Sequence, residues 1–354
     1  MAKYSKIGNI NNVLPIFVEK KENMKNKILG TIKKYNLIEN GDKLVLGVSG
    51  GPDSIAMLNI LNEIKMDKKI DLNFEIVVAH INHMIRKEAG EDEQYVKNYC
   101  KKNGIEFYAK SIDVQKFACT NKIGTEEAGR LARYEFFQEI LEKINANKIA
   151  IAHNKNDKVE TMIMNAMRGS GISGLKGIEA KREKYIRPLI ECERVEIEDY
   201  CEKNNLQPRI DKTNLENDYT RNKIRNIVIP YIKKEFNPNI IPTLNRLAEL
   251  VTEEEEYMEK QVENTYKKLL LEESDNQIVL ELKQFNQEEK VIKSRIVLYT
   301  ITKLFGSSKG IEKIHIEDII KLCHNNIGNK YLAPNKKIKI LLKNHKIYFM
   351  KLSH

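Results

Sequence analysis

An apolar run, Leu44-Val45-Leu46-Gly47-Val48, gives way to Ser49-Gly50-Gly51-Pro52-Asp53-Ser54 and resumes as Ile55-Ala56-Met57-Leu58-Asn59-Ile60-Leu61. The first run reads as a buried strand, the last as a helix with Leu58, Leu61 and Ile64 on one side. A strand, a glycine turn and a helix start make an anion site, because free N–H groups and the positive end of the helix dipole face one point. Gly50 and Gly51 let the backbone approach a phosphate, and Ser49 and Ser54 add hydroxyl donors. Asp53 is the informative oddity. A carboxylate in a phosphate cradle repels its ligand unless a cation lies between them, so the loop implies Mg2+ at Asp53.

The spacing is neither that of the Walker loop nor G-x-G-x-x-G. The hexamer alone would also suit a tight turn with a capping serine. The strand before it, the helix after it and the motifs downstream favour phosphate.

At 354 residues the chain suggests two domains, and a 41% apolar share can build a proper core. No apolar stretch reaches membrane-spanning length, and Met1–Lys21 lacks the pattern of a signal peptide. Cys100, Cys119, Cys192, Cys201 and Cys323 are scattered and never spaced C-x-x-C, so they read as reduced thiols of a cytoplasmic protein. A formal charge of +10 suits a polyanionic partner, although a Lys- and Asn-rich composition also follows from base usage in a gene.

Along the chain, a helix is expected over about Val18–Tyr35. A second strand, Phe74–Ala79, ends in His80-Ile81-Asn82-His83-Met84-Ile85-Arg86. In an open α/β sheet the carboxyl ends of strands form the ligand crevice, which brings His80, Asn82, His83 and Arg86 to its rim. The two histidines have no third ligand in view, which disfavours zinc. A helix over Glu91–Lys102 and a strand over Ile105–Ala109 follow. Thr125 is placed to cap the next helix, with Glu126 and Glu127 in its first turn. Arg130 and Arg133 lie one turn apart, able to share a phosphate or an acidic surface, or to pair with those two acids.

The fourth strand, Lys148–Ala152, ends in His153-Asn154-Lys155-Asn156-Asp157-Lys158-Val159-Glu160-Thr161. A helix starting near Asn156 puts Asp157, Glu160 and Thr161 on one face, where paired carboxylates can hold a cation or a substrate ammonium. The glycine-rich run Arg168–Ile178 reads as a mobile loop or close-approach turn. Arg187-Pro188-Leu189-Ile190 ends a fifth strand, and Glu193–Lys203 reads as a helix. Beyond Pro230 the chain becomes helix-rich, with a long amphipathic stretch from Pro242 to Leu271. Its Glu253–Glu256 run reads as a solvated face. Short strands are expected at Gln277–Leu282, Lys330–Leu332, Lys337–Leu342 and His345–Met350. From Ile301 to His354 eleven lysines face three acids, which suits contact with a nucleic-acid backbone.

Taken together, the loop at 49–54, Ala79-His80-x-Asn82-His83-x-x-Arg86, Glu126-Glu127-Ala128-x-Arg130-x-x-Arg133-Tyr134 and Ala152-His153-x-x-x-Asp157-x-x-Glu160-Thr161 form an ordered set. It continues through Gly169-x-Gly171-x-x-Gly174-Leu175-x-Gly177-Ile178, Arg187-Pro188-Leu189, Asp211-x-Thr213-Asn214 and Arg221-Asn222-x-Ile224-Arg225. This set resembles the bacterial tRNA(Ile)-lysidine synthetases of the ATP-pyrophosphatase superfamily. It departs from them at Asn154, where many members have a second histidine, and at Gly129, where alanine is common.

The resemblance implies a Rossmann-like α/β fold, a parallel sheet with helices on both faces, plus a smaller, mainly helical α+β domain. The expected division is a helical extension over 1–40, a catalytic domain over 41–228 and a tRNA-binding domain over 229–354, without the further C-terminal domain of longer members. The implied reaction uses ATP and Mg2+. The C2 oxygen of a wobble cytidine in tRNA(Ile) with a CAU anticodon attacks the α-phosphate, and pyrophosphate leaves. The ε-amine of free L-lysine then attacks C2 and releases AMP.

Carried onto this chain, ATP contacts fall to Ser49, Gly50, Gly51, Pro52, Asp53, Ser54, His80 and Arg130. Catalytic roles fall to Asp53, Asp157, Glu160 and His153. Substrate contacts fall to His83, Arg86, Arg133, Asp211, Asn214, Arg221 and Arg225. Oligomeric state is left open, a homodimer among the options. A tRNA thiolase of the same superfamily needs active-site cysteines or an iron–sulfur site, for which no C-x-x-C is present. An amidotransferase-type synthetase shares the loop but not the later string. A silent tRNA binder has no need of Asp53, Asp157 and Glu160 together.

Overall fold

The computed structural model describes residues 23–84, 89–209, 216–217, 219–325, 330–335 and 337–352. Two compact units divide at Ala248/Glu249.

In the first unit, α1 (Met24–Lys34) leads to β1 (Asp42–Gly47), α2 (Pro52–Met66), β2 (Phe74–Asn82), α3 (Ala89–Lys102) and β3 (Glu106–Ser111). Next come α4 (Val114–Asn121), α5 (Thr125–Lys143), β4 (Lys148–Ile151), α6 (Lys155–Met167), β5 (Lys181–Arg182), β6 (Tyr185–Ile186) and α7 (Arg194–Lys203). The sheet order is β3-β2-β1-β4-β6-β5, parallel except for the β5–β6 pair. Period-2 alternation divides β1 between two cores. Leu44 and Leu46 join α1, α2, α3 and α7 on one face, whereas Val45 meets Phe136, Phe137, Ile140 and Leu141 of α5 on the other. Helices thus cover both faces, the doubly wound arrangement expected.

Some local expectations shift. Asn23 caps α1 by accepting from the Lys25 N–H at 3.1 Å, so the helix begins at Met24, and residues 18–22 lie outside the described residues. Thr125 does not cap α5. Gly124 takes that position, and Thr125 opens the first turn. The glycine-rich run holds a short 3-10 turn, Ile172–Lys176.

After α7 come α8 (Thr220–Lys223), α9 (Ile229–Glu235) and α10 (Ile240–Leu269), with a π turn at Ile224–Val228. Ile224, Ile229 and Ile241 pack on Val159 of α6. That burial ties residues 229–248 to the first unit, so the division falls at 248/249 rather than at 228/229.

The second unit contains the rest of α10, β7 (Leu270–Glu273), β8 (Gln277–Glu281), α11 (Leu282–Gln287), α12 (Lys290–Phe305) and α13 (Lys313–Asn325). The strands β9 (Tyr331–Asn335), β10 (Ile338–Lys343) and β11 (Lys346–Lys351) complete an antiparallel sheet, β7-β8-β11-β10-β9. Its core gathers Tyr266, Phe285, Ile301, Ile319 and Phe349. Within the Glu253–Glu256 run, Glu255 is buried rather than solvated, because the Arg295 guanidinium clamps its carboxylate with two hydrogen bonds. Among the described residues no helix is long and apolar enough to cross a membrane.

Candidate active site

β1 and β4 are neighbours whose flanking strands are added in opposite directions, so a crevice opens at their carboxyl ends. A cavity of about 930 Å3 occupies that position. Gly50 turns the chain at φ +92°, a conformation that an L side chain resists, and its carbonyl accepts from the Arg209 N–H at 2.9 Å. Ser54 Oγ accepts from the Ser49 N–H at 3.2 Å and donates to the Gly51 carbonyl at 3.0 Å, tying the loop into a ring. Pro52 fills the first position of α2, where no N–H is needed. The early N–H groups of α2, which have no carbonyl partner in their own helix, are then left for an anion. Just before the loop, Gly47 admits the Phe137 ring. A Cβ there would lie 2.5 Å from Cζ of that ring.

Asp53 lines the cavity from α2, where Asn154 Nδ2 donates to its Oδ1 at 3.0 Å and Arg194 Nη2 to its Oδ2 at 3.3 Å. Burial raises its carboxyl pKa, Arg194 opposes the rise, and Asp157 adds to it. From the end of β2, His80 is 2% exposed and its Nδ1 lies 2.8 Å from the Val48 carbonyl. A carbonyl can only accept, so Nδ1 carries the proton, donates to it and locks β2 to β1, while burial lowers the ring's pKa. Burial, with the Arg133 cation nearby, depresses His83 to about 4, and its buried Nδ1 has no partner among the described residues. At the Gly129 departure there is room for the methyl that alanine would carry, its Cβ meeting Val114 Cγ1 at 3.6 Å and His83 Cε1 at 3.7 Å.

The end of β4 is a network of side chains. Asn154 and Asp157 cap α6 reciprocally, each side chain accepting from the other's N–H at 3.0 Å. Arg225 donates through Nη2 to Asp157 Oδ1 at 2.8 Å and through Nε to Glu160 Oε1 at 2.6 Å. Glu160 is 1% exposed. Burial raises its carboxyl pKa, and the Arg225 fork holds the charge against that penalty. Arg187 Nε donates to His153 Nδ1 at 3.1 Å. Burial pushes His153 down to about 4, so the ring is neutral and offers its proton at Nε2.

One cavity therefore gathers Ser49, Gly51, Pro52, Asp53, Ser54, His80, His83, Arg133, His153, Asp157 and Arg225. Other expected site residues lie elsewhere. Glu160 and Arg221 stand behind the wall, Arg221 donating to Thr161 Oγ1 at 2.9 Å. Arg225 lines the cavity with its guanidinium bonded to two carboxylates. Arg130 diverges from Arg133 into a separate pocket, away from the ATP loop. Arg86, Asp211 and Asn214 lie outside the described residues. Arg194, Arg209 and Asp92 also line the cavity and were not read from the sequence. Arg194 carried one signal: it occupies the first position of α7, where the helix dipole disfavours a cation.

The fold and this loop define a PP-loop protein, and the family model described as "PP-loop domain" matches residues 20–232. The tRNA(Ile)-lysidine synthase of Clostridium acetobutylicum is 48% identical over 314 residues, 88% of this chain and 67% of that one. The Clostridioides difficile tRNA(Ile)-lysidine synthase is 45% identical over 323 residues, 91% of this chain and 69% of that one. The chain belongs to the tRNA(Ile)-lysidine synthase family, and it spans about two thirds of the length of these relatives. A U34-tRNA thiolase from Methanococcus maripaludis, solved with its [4Fe-4S] cluster, shares the fold at a TM-score of 0.51 and 20% identity. That match covers 64% of this chain and 78% of the thiolase.

Proposed function

We propose that this chain converts the wobble cytidine of tRNA(Ile) with a CAU anticodon to lysidine, using ATP and free L-lysine. The cytidine O2–Pα bond forms as the bond from Pα to pyrophosphate breaks. Lysine Nε then bonds to C2, the C2–O bond breaks and AMP leaves, with one proton lost from the ammonium. The observation that carries this reading is one cavity holding a phosphate loop at β1 and a carboxylate–arginine–histidine network at β4.

The loop N–H groups and the Ser49 and Ser54 hydroxyls receive the leaving pyrophosphate. Asp53 and Asp157 both line the cavity, a donor set that fits Mg2+ held by one carboxylate together with substrate phosphates. Asp53 is the residue that would hold it, and the ion would supply charge neutralisation on the phosphates. His153, neutral with its proton at Nε2, serves as a hydrogen-bond donor, and its low pKa makes it a poor base near pH 7. Asp157 holds lysine's ammonium and receives its proton. Arg225 fixes its direction through Oδ1. Arg133, accessible to solvent on the cavity wall, is available to the adenylate phosphate.

The test supplies ATP, Mg2+, radiolabelled lysine and an isoleucine tRNA transcript with a CAU anticodon. One lysine per tRNA with one AMP released supports the reading. AMP release without lysine on the RNA overturns it.

A further inference from the structure

Beside the main cavity, α5 and the β5–β6 hairpin enclose a second pocket of about 310 Å3, near the lower size limit for a small-molecule site. Arg130, Arg182 and Arg187 line it, with Tyr134, Tyr185 and Leu131. Among the described residues Arg130 and Arg182 have neither an ion pair nor a hydrogen bond from their side chains, although Glu127 and Glu183 also line the pocket. Unspent guanidinium groups facing a cavity are donors awaiting an anion, and their planar forks match phosphate oxygens.

The pocket is also held in shape. Arg130 lies over the Tyr134 ring at 5.9 Å, and that ring meets Tyr185 edge-on with centroids 4.9 Å apart. Leu131 is 41% exposed, an apolar surface in a basic setting.

Its position decides what it takes. Arg130 and Arg133 leave one helix a turn apart and enter two different cavities. Arg187 belongs to the second pocket, yet its Nε donates to His153, which lines the first. A nucleic-acid strand whose base is inserted in the main cavity carries further phosphates and bases past its mouth.

Resting on the function proposed above, we infer that this second pocket binds a nucleotide of the tRNA other than the reacting cytidine, its phosphate on Arg130 and Arg182 and its base against Leu131. Arg187 links this docking site to His153 in the reaction cavity.

The experiment compares wild type with the double variants Arg130→Ala/Arg182→Ala and Arg130→Lys/Arg182→Lys. Direct binding of the CAU transcript without ATP is measured across a salt series, and the KM values for ATP and tRNA are measured in turnover. For the alanine pair, tRNA binding weakens roughly tenfold, the log-affinity against log-salt slope flattens by about 2, and the ATP KM holds. The lysine pair keeps the slope of wild type, because its charge is retained. Unchanged affinity and slope in the alanine pair overturn the inference. So does a raised ATP KM with unchanged tRNA binding, which places Arg130 with the nucleotide instead. A wild type that binds the transcript but makes no lysidine counts against the proposed reaction, while the binding series still decides the pocket.

Discussion

At the end of β1 the working groups are backbone N–H and short hydroxyls, set by six consecutive residues, closed on themselves by bonds that span no more than five positions and pinned from outside by the Arg209 N–H on the Gly50 carbonyl. At the end of β4 they are long side chains brought from distant sequence. Arg187 and Arg225 converge on His153 and the Asp157–Glu160 pair, and Asn154 at the same strand end reaches across to Asp53 of the loop. A backbone cradle is rigid once its turn forms and is aimed by the helix that follows it. An ion-pair network is rigid only while every member is present, because removing one strands a buried charge. The difference fits the division of labour proposed above, in which the β1 end takes the phosphate chemistry, which is uniform, and the β4 end takes the amine.

The strongest way to break that comparison is Asp53→Ala. It removes the carboxylate proposed to act at the phosphates, and turnover is expected to fall by about 10^3 with folding intact, checked by AMP release beside circular dichroism. Asp53→Ala activity within tenfold of wild type would contradict the role.

Arg225→Leu attacks the other end through stability. It leaves the Glu160 carboxylate buried without its fork, at a cost of about 3–5 kcal/mol in urea unfolding. Adding Glu160→Gln recovers part of that loss, since the stranded charge is then gone. A double variant no more stable than Arg225→Leu alone would mean the pair is not the source of the cost.

Gly47→Ala tests how the loop is supported from below. The new methyl meets the Phe137 ring, with an expected loss of about 1–3 kcal/mol that Phe137→Leu relieves. The same change on the exposed Gly30 of α1, where a Cβ meets nothing, leaves stability unchanged or raises it.

The smallest effect concerns pH. His83 and His153 fall to about 4 in the folded protein against an unfolded value near 6.5, so the unfolded state binds protons first. Their stabilising contribution is complete above pH 6.5 and is lost as pH falls through 4. Discounted for the openness of the cavity, it amounts to about 1–2 kcal/mol for the two. Replacing both with Gln should flatten the unfolding midpoint over that window relative to wild type.

The same contrast explains what could be read in advance. The strand, glycine turn and helix at 44–61 are local, so their hydrophobic period and the loop chemistry specify them directly. The parallel sheet came from the family resemblance, and the polar residues at the strand ends marked the rim of its crevice. Arg225 and Glu160 were recognisable as important but not as partners, because 65 residues separate them and only packing against α6 brings them together. Arg130 and Arg133 looked equivalent at a one-turn spacing, and the walls around α5 sent them into different cavities. Glu255 looked solvated within an acidic run, and only Arg295, on another helix, makes its burial tolerable.

The central claim, that the β1 end makes an adenylate and the β4 end passes lysine onto it, is tested most directly by supplying ATP labelled at the α-phosphate with the CAU transcript. Wild type, Asp53→Ala and Asp157→Asn are followed with and without lysine. Wild type is predicted to place label on the RNA when lysine is withheld and to shed it as AMP when lysine is added. Asp157→Asn should load the label and retain it, and Asp53→Ala should load none. An Asp157→Asn enzyme that sheds the label as fast as wild type, or one that never loads it, contradicts the division.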